Sequence, residues 1–312
     1  MSLIIPVPPE MEEPDVLVSL RQLNYPSDRL ELLLAEGRLP PRQRNKAAAE
    51  THGEYLLFLD DDMRLDPEYL QRMVRLYRIG GCDALGGPSL PLAGKSAVEK
   101  AIAFTLGSWW GLGPLSSRYR KNPPRENATD RQLILCNQSI RRDLFIGSGG
   151  FDERLFPNEE NELIDRMRRA GVRFGYHPDL AASRPVEPSL AAHWKKIFRY
   201  GQGRASQIKI NPSLRSCEHL LLILVGTTAM AAAFGGWPIA RWILCIYGLW
   251  LLGAALHAAF KNCSPLTGLL SALAIAGTHV SYWAGFWYGL FKENATRHTL
   301  DGAEVRLRRI HL

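Results

Sequence analysis

Apolar runs and amphipathic stretches alternate along the first part of the chain. "SLIIPV" (2–7) is apolar and closed by prolines, the pattern of a buried strand. "EEPDVLVSLRQL" (12–23) reads as a helix with Pro26 beyond it, and "LELLLAEG" (30–37) as a second strand ending in an acid and a glycine. "RQRNKAAAETHG" (42–53) is alanine-rich and helical, and "EYLLFL" (54–59) is a third strand. "DPEYLQRMVRLYRIGG" (66–81) is a helix stopped by Gly80 and Gly81. Strands alternating with helices predict an α/β layer with parallel strands. Ligands of such sheets bind at the carboxyl ends of the strands. Glu10, Glu36 and the three aspartates Asp60, Asp61 and Asp62 all stand just past such ends, so one cleft can gather them.

Three adjacent acids raise one another's pKa unless a cation meets them. Hard oxygen ligands suit Mg²⁺ or Mn²⁺, with substrate phosphates completing the shell. The plainer alternative is a solvated acidic turn. That reading fits Asp66, which precedes a proline as a helix cap would. Asp60 and Asp62 follow an apolar strand directly and share one side of the chain, so they are the metal and nucleotide candidates, with Asp61 facing elsewhere.

From His219 to Phe291 only Arg241 and Lys261 carry full charge. Three stretches there, 219–234, 239–260 and 266–291, are candidate membrane spans, separated by "GGWP" and "KNCSP". Trp237, Trp242, Trp283, Trp287 and Tyr288 suit an interfacial belt. The expected division is a soluble domain at 1–215, about three membrane helices at 216–291 and a polar, basic tail at 292–312. Lys195, Lys196, Arg199, Arg204, Lys209 and Arg215 precede the first span and place the N-terminal domain in the cytoplasm; Lys261 agrees. Three spans would then put Arg306, Arg308 and Arg309 outside, against the same rule.

The chain has 312 residues, 46% hydrophobic, with a formal net charge of +7. That balance points to an anionic partner. The apolar segments direct this toward a membrane and a phosphorylated ligand, and nucleic acid is not expected. The five cysteines are scattered without a CxxC pair, which excludes a disulfide frame or a zinc site. "MSLIIPVPPE" is too short and lacks the basic start of a signal peptide. His177 and His193 have no ligand spacing and read as structural.

"SLIIPV", "RNKAAAETHGEYLLFLDDD", "GGFDERLFPNEENELIDRMRRAG" and "FRYGQGRA" occur in this order, and together they resemble family-two glycosyltransferases of the GT-A fold. The nearer likeness is to the membrane-anchored exopolysaccharide branch, of succinoglycan type. The resemblance implies an inverting enzyme that uses a nucleotide sugar, with Asp60 and Asp62 as the DxD pair. Asp62 would hold the metal on the diphosphate, and Asp60 would meet the ribose or assist the metal. Pro6, Glu10 and Glu36 fall where the family holds the nucleoside, and Arg44 and Asn45 match the "RN" before the DxD strand. Glu160 falls on the catalytic-base position, where Glu-Asp is usual and this chain reads Glu159-Glu160; the alternative is that Glu159, Glu160 and Glu162 form a solvated helix start. Asn158 would cap the helix that begins there. Arg204 in "RYGQGR" is the candidate for the donor diphosphate, with a juxtamembrane lipid-binding patch as the alternative. Asn137 is a candidate lining residue of the acceptor site. Trp110, in the apolar stretch 101–115, either guides a lipid-linked acceptor or packs in a core, and Arg118, Arg120 and Lys121 would suit acceptor phosphates.

Two departures stand out. The segment after the second strand is shortened to "AEGRLPPRQRN", so a helix and a strand of the nucleotide-binding half are expected to be missing. The base position carries Glu instead of Asp. The sequence therefore reads first as a cytoplasmic-membrane transferase moving a hexose from a nucleotide sugar, with UDP as the expected nucleotide, to a lipid-linked or glycan acceptor. A non-catalytic membrane subunit that binds a nucleotide sugar or scaffolds polysaccharide assembly is the alternative. A Mg²⁺-dependent phosphohydrolase explains fewer of the motifs. The sugar, the linkage and the oligomeric state are not legible.

Overall fold

The structure is a computed structural model that describes residues 1–212, 223–224, 226–228, 231–232, 235–292 and 304–311. Contacts divide the chain into two units: Met1–Leu92, Pro114–Pro185 and Ala295–Leu312 form one, and Ala93–Gly113 with Val186–Asn294 form the other. The division crosses the expected boundaries twice. Residues 93–113 leave the first unit, and the tail returns to it.

The first unit begins with β1 (Ser2–Val7), α1 (Val16–Leu20), β2 (Glu31–Glu36), α2 (Pro40–Ala49), β3 (Tyr55–Leu59) and α3 (Tyr69–Ile79). These are the elements the apolar pattern predicts, with α1 shorter than 12–23 and α3 starting three residues late. Asp66 still works at that start: its side chain accepts from the Glu68 backbone N–H, one turn ahead of the helix. After β4 (Ala84–Gly86) and β5 (Ser89–Leu92) the chain enters the second unit through α4 (Ala97–Gly107) and α5 (Trp109–Leu112). It returns with β6 (Asn137–Arg141), α6 (Arg142–Gly147), α7 (Glu159–Arg169), β7 (Phe174–Tyr176) and β8 (Ala182–Pro185).

Seven strands form one sheet in the order β7-β4-β6-β3-β1-β2, with a last strand, residues 306–310, beyond β2. The β2-β1-β3 trio is parallel, so the carboxyl ends of all three strands lie on one edge. β6 runs antiparallel between β3 and β4. Successive residues of a strand face opposite sides, and this sheet buries both. Leu3, Ile5, Leu57 and Leu59 enter one core, while Ile4, Leu56 and Phe58 enter the other beside Phe145 and Phe151. β5 and β8 pair in parallel as a separate small ribbon.

The second unit continues with α8 (Leu190–Ile210), α9 (Pro238–Asn262) and α10 (Pro265–Phe291). α9 and α10 match the expected segments 239–260 and 266–291 and are each long and apolar enough to cross a membrane. The break between them is built from Cys263 in a left-handed conformation and Ser264, whose hydroxyl caps α10 through the Thr267 N–H. The third expected span, 219–234, lies largely outside the described residues, as do Arg215 and most of the stretch 292–303. α8 and α10 approach closely: a Cβ at Gly285 would come within 2.1 Å of the Phe198 carbonyl oxygen.

The basic tail is not a free tail. Arg306–Ile310 forms β9, antiparallel to β2 from Leu32↔Ile310 to Glu36↔Arg306. It occupies the sheet edge beside β2, next to which the shortened segment leaves the chain without a further strand. An uncovered edge there would expose a row of unpaired backbone groups. The pairing also bears on the span count. Three crossings would put residues 306–310 on the opposite side of a bilayer from the sheet they complete, so any crossings between β8 and β9 must be even in number.

Phe58 is fully buried against Phe145 and Phe151. Phe58→Ala should cost about 3–5 kcal/mol of unfolding free energy. Val18→Ala, on the exposed face of α1, should change it by no more than about 0.5 kcal/mol. Denaturant titration of the solubilised protein checks both.

Candidate active site

The aspartates stand where β3 leaves the sheet. Leu59 is the last strand residue, and Asp60–Asp62 form the turn that follows. The Asp61 carbonyl accepts the Val16 N–H at 2.9 Å, which ties this turn to the start of α1. Arg64 and Ser183 form an antiparallel bridge, with N–H···O distances of 2.7 and 2.9 Å. That bridge brings β8 alongside the acidic turn and delivers Arg184 to it. Arg184 donates to Asp60 Oδ2 at 3.1 Å and to Asp62 Oδ2 at 2.9 Å.

Arg44 approaches from the other side. It lies on α2, almost wholly buried, and donates to Asp60 Oδ1 at 2.8 Å and to Glu159 Oε1 at 3.0 Å. Its neighbour Asn45 donates to the Phe151 carbonyl at 2.9 Å and accepts the Phe151 N–H at 2.8 Å. The "RN" pair thus fastens the acidic turn and the "GGFDE" loop to one helix. Gly150 has φ +69°, and a Cβ there would stand 2.5 Å from Asn45 Oδ1, so a glycine is needed for the loop to reach Asn45.

Glu159 and Glu160 open α7. Asn158 occupies the cap position in a left-handed conformation, but its side chain makes no cap; its Oδ1 accepts from Asn161 Nδ2 instead. Glu160 does lie in the first turn, as expected. Arg118 faces it, with Nη1 3.7 Å from Glu160 Oε1, while donating to Asn161 Oδ1 at 2.6 Å and to the Asp130 carbonyl at 2.5 Å. Arg118 is therefore a buried partner of the glutamate and not part of a surface patch for acceptor phosphates. The Glu160 side chain is 14% exposed and that of Glu159 only 4%. This difference leaves Glu160 as the carboxylate with an open side. Burial, followed by the adjacent Glu160, pushes the Glu159 carboxyl up to about 8 against the pull of Arg44. Asp61, outside the Arg44 and Arg184 contacts, is raised by burial and then by Asp62 and Asp60.

The nucleoside candidates share the same sheet edge. Val7 pairs with Glu36 across β1 and β2, and Gln43 Nε2 donates to the carbonyls of Val7 and Ala35, stitching the two strand ends together. Pro6 is the penultimate residue of β1, and Glu10, in the exposed loop beyond it, pairs with Arg38.

Other candidates lie elsewhere. Asn137 is fully buried: its Oδ1 accepts from the Tyr69 hydroxyl, and its Nδ2 donates to the Pro88 and Leu180 carbonyls at 3.1 and 2.7 Å. It braces the core and has no face for an acceptor. Trp110 belongs to the second unit, where it donates to His257 Nδ1 at 3.0 Å and packs edge-on to Trp250, which fits the core-packing alternative. Arg204 is also in the second unit, buried on α8 and bonded to Gln207. His177 accepts from the Asp179 N–H, and His193 bonds Thr278, so both are structural. Arg184 was not legible in advance: it is an isolated cation in "AASRP", with no spacing to mark it.

Among the described residues no three His, Cys, Asp or Glu side chains form a group able to hold a metal by themselves. Asp60 and Asp62 still fit a hard cation of the kind held by one or two carboxylates and substrate phosphates. Asp62 Oδ1 is buried without a hydrogen-bond partner, an acceptor left open beside the Arg184 contact.

A sheet with this order, its acidic turn at the end of a parallel trio and a second carboxylate pair bound to that turn by one arginine, is the GT-A fold of nucleotide-sugar transferases. Residues 14–125 match the model of glycosyl transferase family 2. It is 26% identical over 273 residues to the succinoglycan biosynthesis protein ExoA of Rhizobium meliloti (strain 1021), spanning 86% of this chain and 79% of that one. It is 26% identical over 249 residues to ExoM of the same organism, spanning 75% and 69% of the two chains. Among solved structures, the mannosyltransferase PcManGT from Pyrobaculum calidifontis, in complex with GDP-Man and Mn²⁺, superimposes with a TM-score of 0.52 at 16% identity. That match covers 89% of this chain and 85% of the other, and it shows the fold. The protein is a glycosyltransferase related to succinoglycan biosynthesis enzymes.

The raised Glu159 carboxyl sets a stability trend. The folded chain binds more protons than the unfolded chain between about pH 4.5 and about 8. The stability due to this group is then full below that window and is lost as pH rises through it. Relative to Glu159→Gln, the wild type should lose unfolding free energy from about pH 5 to about pH 8. A difference that stays flat over that range would show Glu159 ionised throughout.

Proposed function

We propose that the protein is a membrane-anchored inverting glycosyltransferase. It moves a hexose from a nucleotide sugar, with UDP as the expected nucleotide, to a lipid-linked or polysaccharide acceptor in cell-surface polysaccharide synthesis. The observation that carries this reading is the Arg44 bridge. It fixes Asp60, at the end of β3, to Glu159, one residue before Glu160. The donor side and the acceptor side of a displacement thereby share one rigid frame.

In this reading Glu160 is the general base. An acceptor hydroxyl gives its proton to the Glu160 carboxylate while its oxygen bonds to the anomeric carbon from the face opposite the diphosphate. The bond from that carbon to the phosphate oxygen breaks, and the nucleoside diphosphate leaves. Asp62, with Asp60, would hold Mg²⁺ or Mn²⁺, which when bound offsets charge on the departing diphosphate. Arg44 and Arg184 hold the two aspartates in register. Pro6, Glu10 and Glu36 line the nucleoside subsite. Arg118 fixes the Glu160 side chain from the flank.

The membrane part of the reading rests on α9 and α10. Trp242, Ile246, Leu249 and Phe260 on α9, and Leu269 and Val280 on α10, are exposed. Apolar side chains left open along helices of this length are supported by lipid. Because β9 pairs with β2, the tail and the catalytic unit belong to one compartment, and two crossings satisfy this where three do not. Arg306, Arg308 and Arg309 then join Lys195, Lys196 and Arg199 on the cytoplasmic side, in keeping with the positive-inside rule.

Detergent-solubilised protein with Mn²⁺ or Mg²⁺ and a panel of nucleotide sugars should release nucleoside diphosphate with at least one donor. Asp62→Ala and Glu160→Gln should each lower that rate by about a hundredfold or more. A wild type that binds a donor and never turns it over would sink the catalytic reading; full transfer by Glu160→Gln would remove Glu160 as the base. For topology, a green fluorescent protein fused after residue 312 should fluoresce, and alkaline phosphatase at the same place should be inactive. An active phosphatase there would contradict the even number of crossings.

A further inference from the structure

β9 comes from the far end of the chain, yet it reaches the nucleoside candidates. Arg308 on β9 lies with Nε 3.0 Å from Glu36 Oε1, at the carboxyl end of β2. Its Nη2 donates to the Glu12 carbonyl at 2.8 Å and to the Met11 carbonyl at 3.3 Å. One guanidinium therefore spans a strand end and the exposed loop that follows β1. That loop otherwise has the Met11 N–H to Pro8 carbonyl turn at 3.1 Å, the Glu10–Arg38 pair and the Arg21–Glu13 pair to hold it. The strand carrying Arg308 is itself anchored. Lys46 donates to the Val305 carbonyl at 2.6 Å, and Arg309 reaches Glu31 at 3.1 Å and the Glu50 carbonyl at 2.8 Å.

We infer that Arg308 is a positioning residue of the donor site, holding the Glu36 carboxylate and the loop after β1 in the geometry that receives the nucleoside of a nucleoside-diphosphate sugar. The inference rests on the reading of Pro6, Glu10 and Glu36 as the nucleoside subsite. Its physical basis is simple. A strand-end carboxylate can accept hydrogen bonds from ribose hydroxyls, as acidic residues do in other α/β nucleotide sites. It does so at a fixed place only if its own position is set. The Glu36 side chain is 16% exposed, with Arg308 as its ion-pair partner. Arginine is the residue for this task because its planar fork serves several acceptors at once, where a lysine presents a single point charge. β9 thus supplies both the backbone that covers the β2 edge and the side chain that sets the adjoining subsite.

The test is nucleotide binding, not turnover alone. UDP and GDP, each with Mn²⁺, are titrated calorimetrically into the full-length solubilised wild type, Arg308→Ala, Arg308→Lys and Arg306→Ala. Arg306 stands opposite Glu36 in the ladder with its side chain exposed, and serves as the comparison for a cation near Glu36 that does not reach the loop after β1. Arg308→Ala should weaken nucleotide binding about tenfold or more, the scale of a lost charge-assisted contact. Arg308→Lys should recover part of it, and Arg306→Ala should bind within about twofold of wild type, as surface changes do. In transfer assays Arg308→Ala should raise the donor KM and leave kcat within a few-fold, a split that general loosening of the fold would not produce. Wild-type affinity in Arg308→Ala overturns the inference; if that variant does not fold, wild-type affinity in Arg308→Lys overturns it equally. A wild type that binds no nucleoside diphosphate overturns instead the reading of the subsite, and the role of Arg308 falls with it.

Discussion

The Arg44 guanidinium, almost wholly buried between Asp60 and Glu159, is the contact on which the site depends. A charge taken out of water is tolerated only when it is paired and hydrogen-bonded. Arg44 meets that condition by drawing together two parts of the chain that share no secondary structure, the turn after β3 and the first turn of α7. Burial and the adjacent Glu160 push the Glu159 carboxyl toward its neutral form, and the remaining carboxylates are met by cations on both flanks. Arg184 stands between Asp60 and Asp62, and Arg118 faces Glu160. The result is a row of ionisable groups, Arg118, Glu160, Glu159, Arg44, Asp60, Arg184 and Asp62, in which arginines separate the acids except where Glu160 and Glu159 stand side by side. Removing Arg44 would leave the buried Glu159 without its cation and Asp60 with Arg184 alone.

That row also separates roles among residues of the same type. Glu159 is committed to Arg44 and to burial, whereas Glu160 keeps an open side. Asp60 has both carboxylate oxygens engaged, one by each arginine, while Asp62 keeps Oδ1 free of any partner. Asp62 Oδ1 can thus accept a cation while Oδ2 stays with Arg184, without dismantling the frame. The three aspartates that look alike in the sequence are distinct in the fold: Asp60 is shared by two arginines, Asp62 has one carboxylate oxygen without a hydrogen-bond partner, and Asp61 fixes α1 through its backbone.

Much of this was legible from local patterns. The continuous apolar runs at 2–7, 30–37 and 54–59 marked β1, β2 and β3 because both faces of the sheet are buried. The acidic turn, the "RN" pair and Glu159-Glu160 were legible because their order along the chain carries a signal. Asn137 misled because an amide in a polar "CNQSIRR" stretch resembles a ligand group. Its actual work, donating to the Pro88 and Leu180 carbonyls inside the core, depends on two loops far away in sequence. Arg184 was hidden, and Arg118 was read for acceptor phosphates instead of for Glu160, for the opposite reason: a single cation that finds its carboxylate through tertiary contact leaves no spacing to read. β9 was read as a tail because "RLRRI" carries three arginines, yet an edge strand needs few apolar positions, and here Leu307 and Ile310 are half-buried.

The shortened segment after β2 and the unexpected strand β9 answer one another. Without β9 the outer edge of β2 would leave backbone donors and acceptors open. Filling that edge from the C-terminus satisfies them, and it does so antiparallel, which no β-α-β crossover in the missing region would produce. The cost is separation: β2 and β9 lie at opposite ends of the sequence, with the apolar helices α9 and α10 between them. Closing so long a loop is entropically unfavourable, though the penalty grows only slowly with length. The Arg308–Glu36 and Arg309–Glu31 pairs, the Lys46 bond to Val305 and the ladder itself offset it. Because the edge strand follows the apolar helices in the chain, the sheet cannot be complete until those helices have been made.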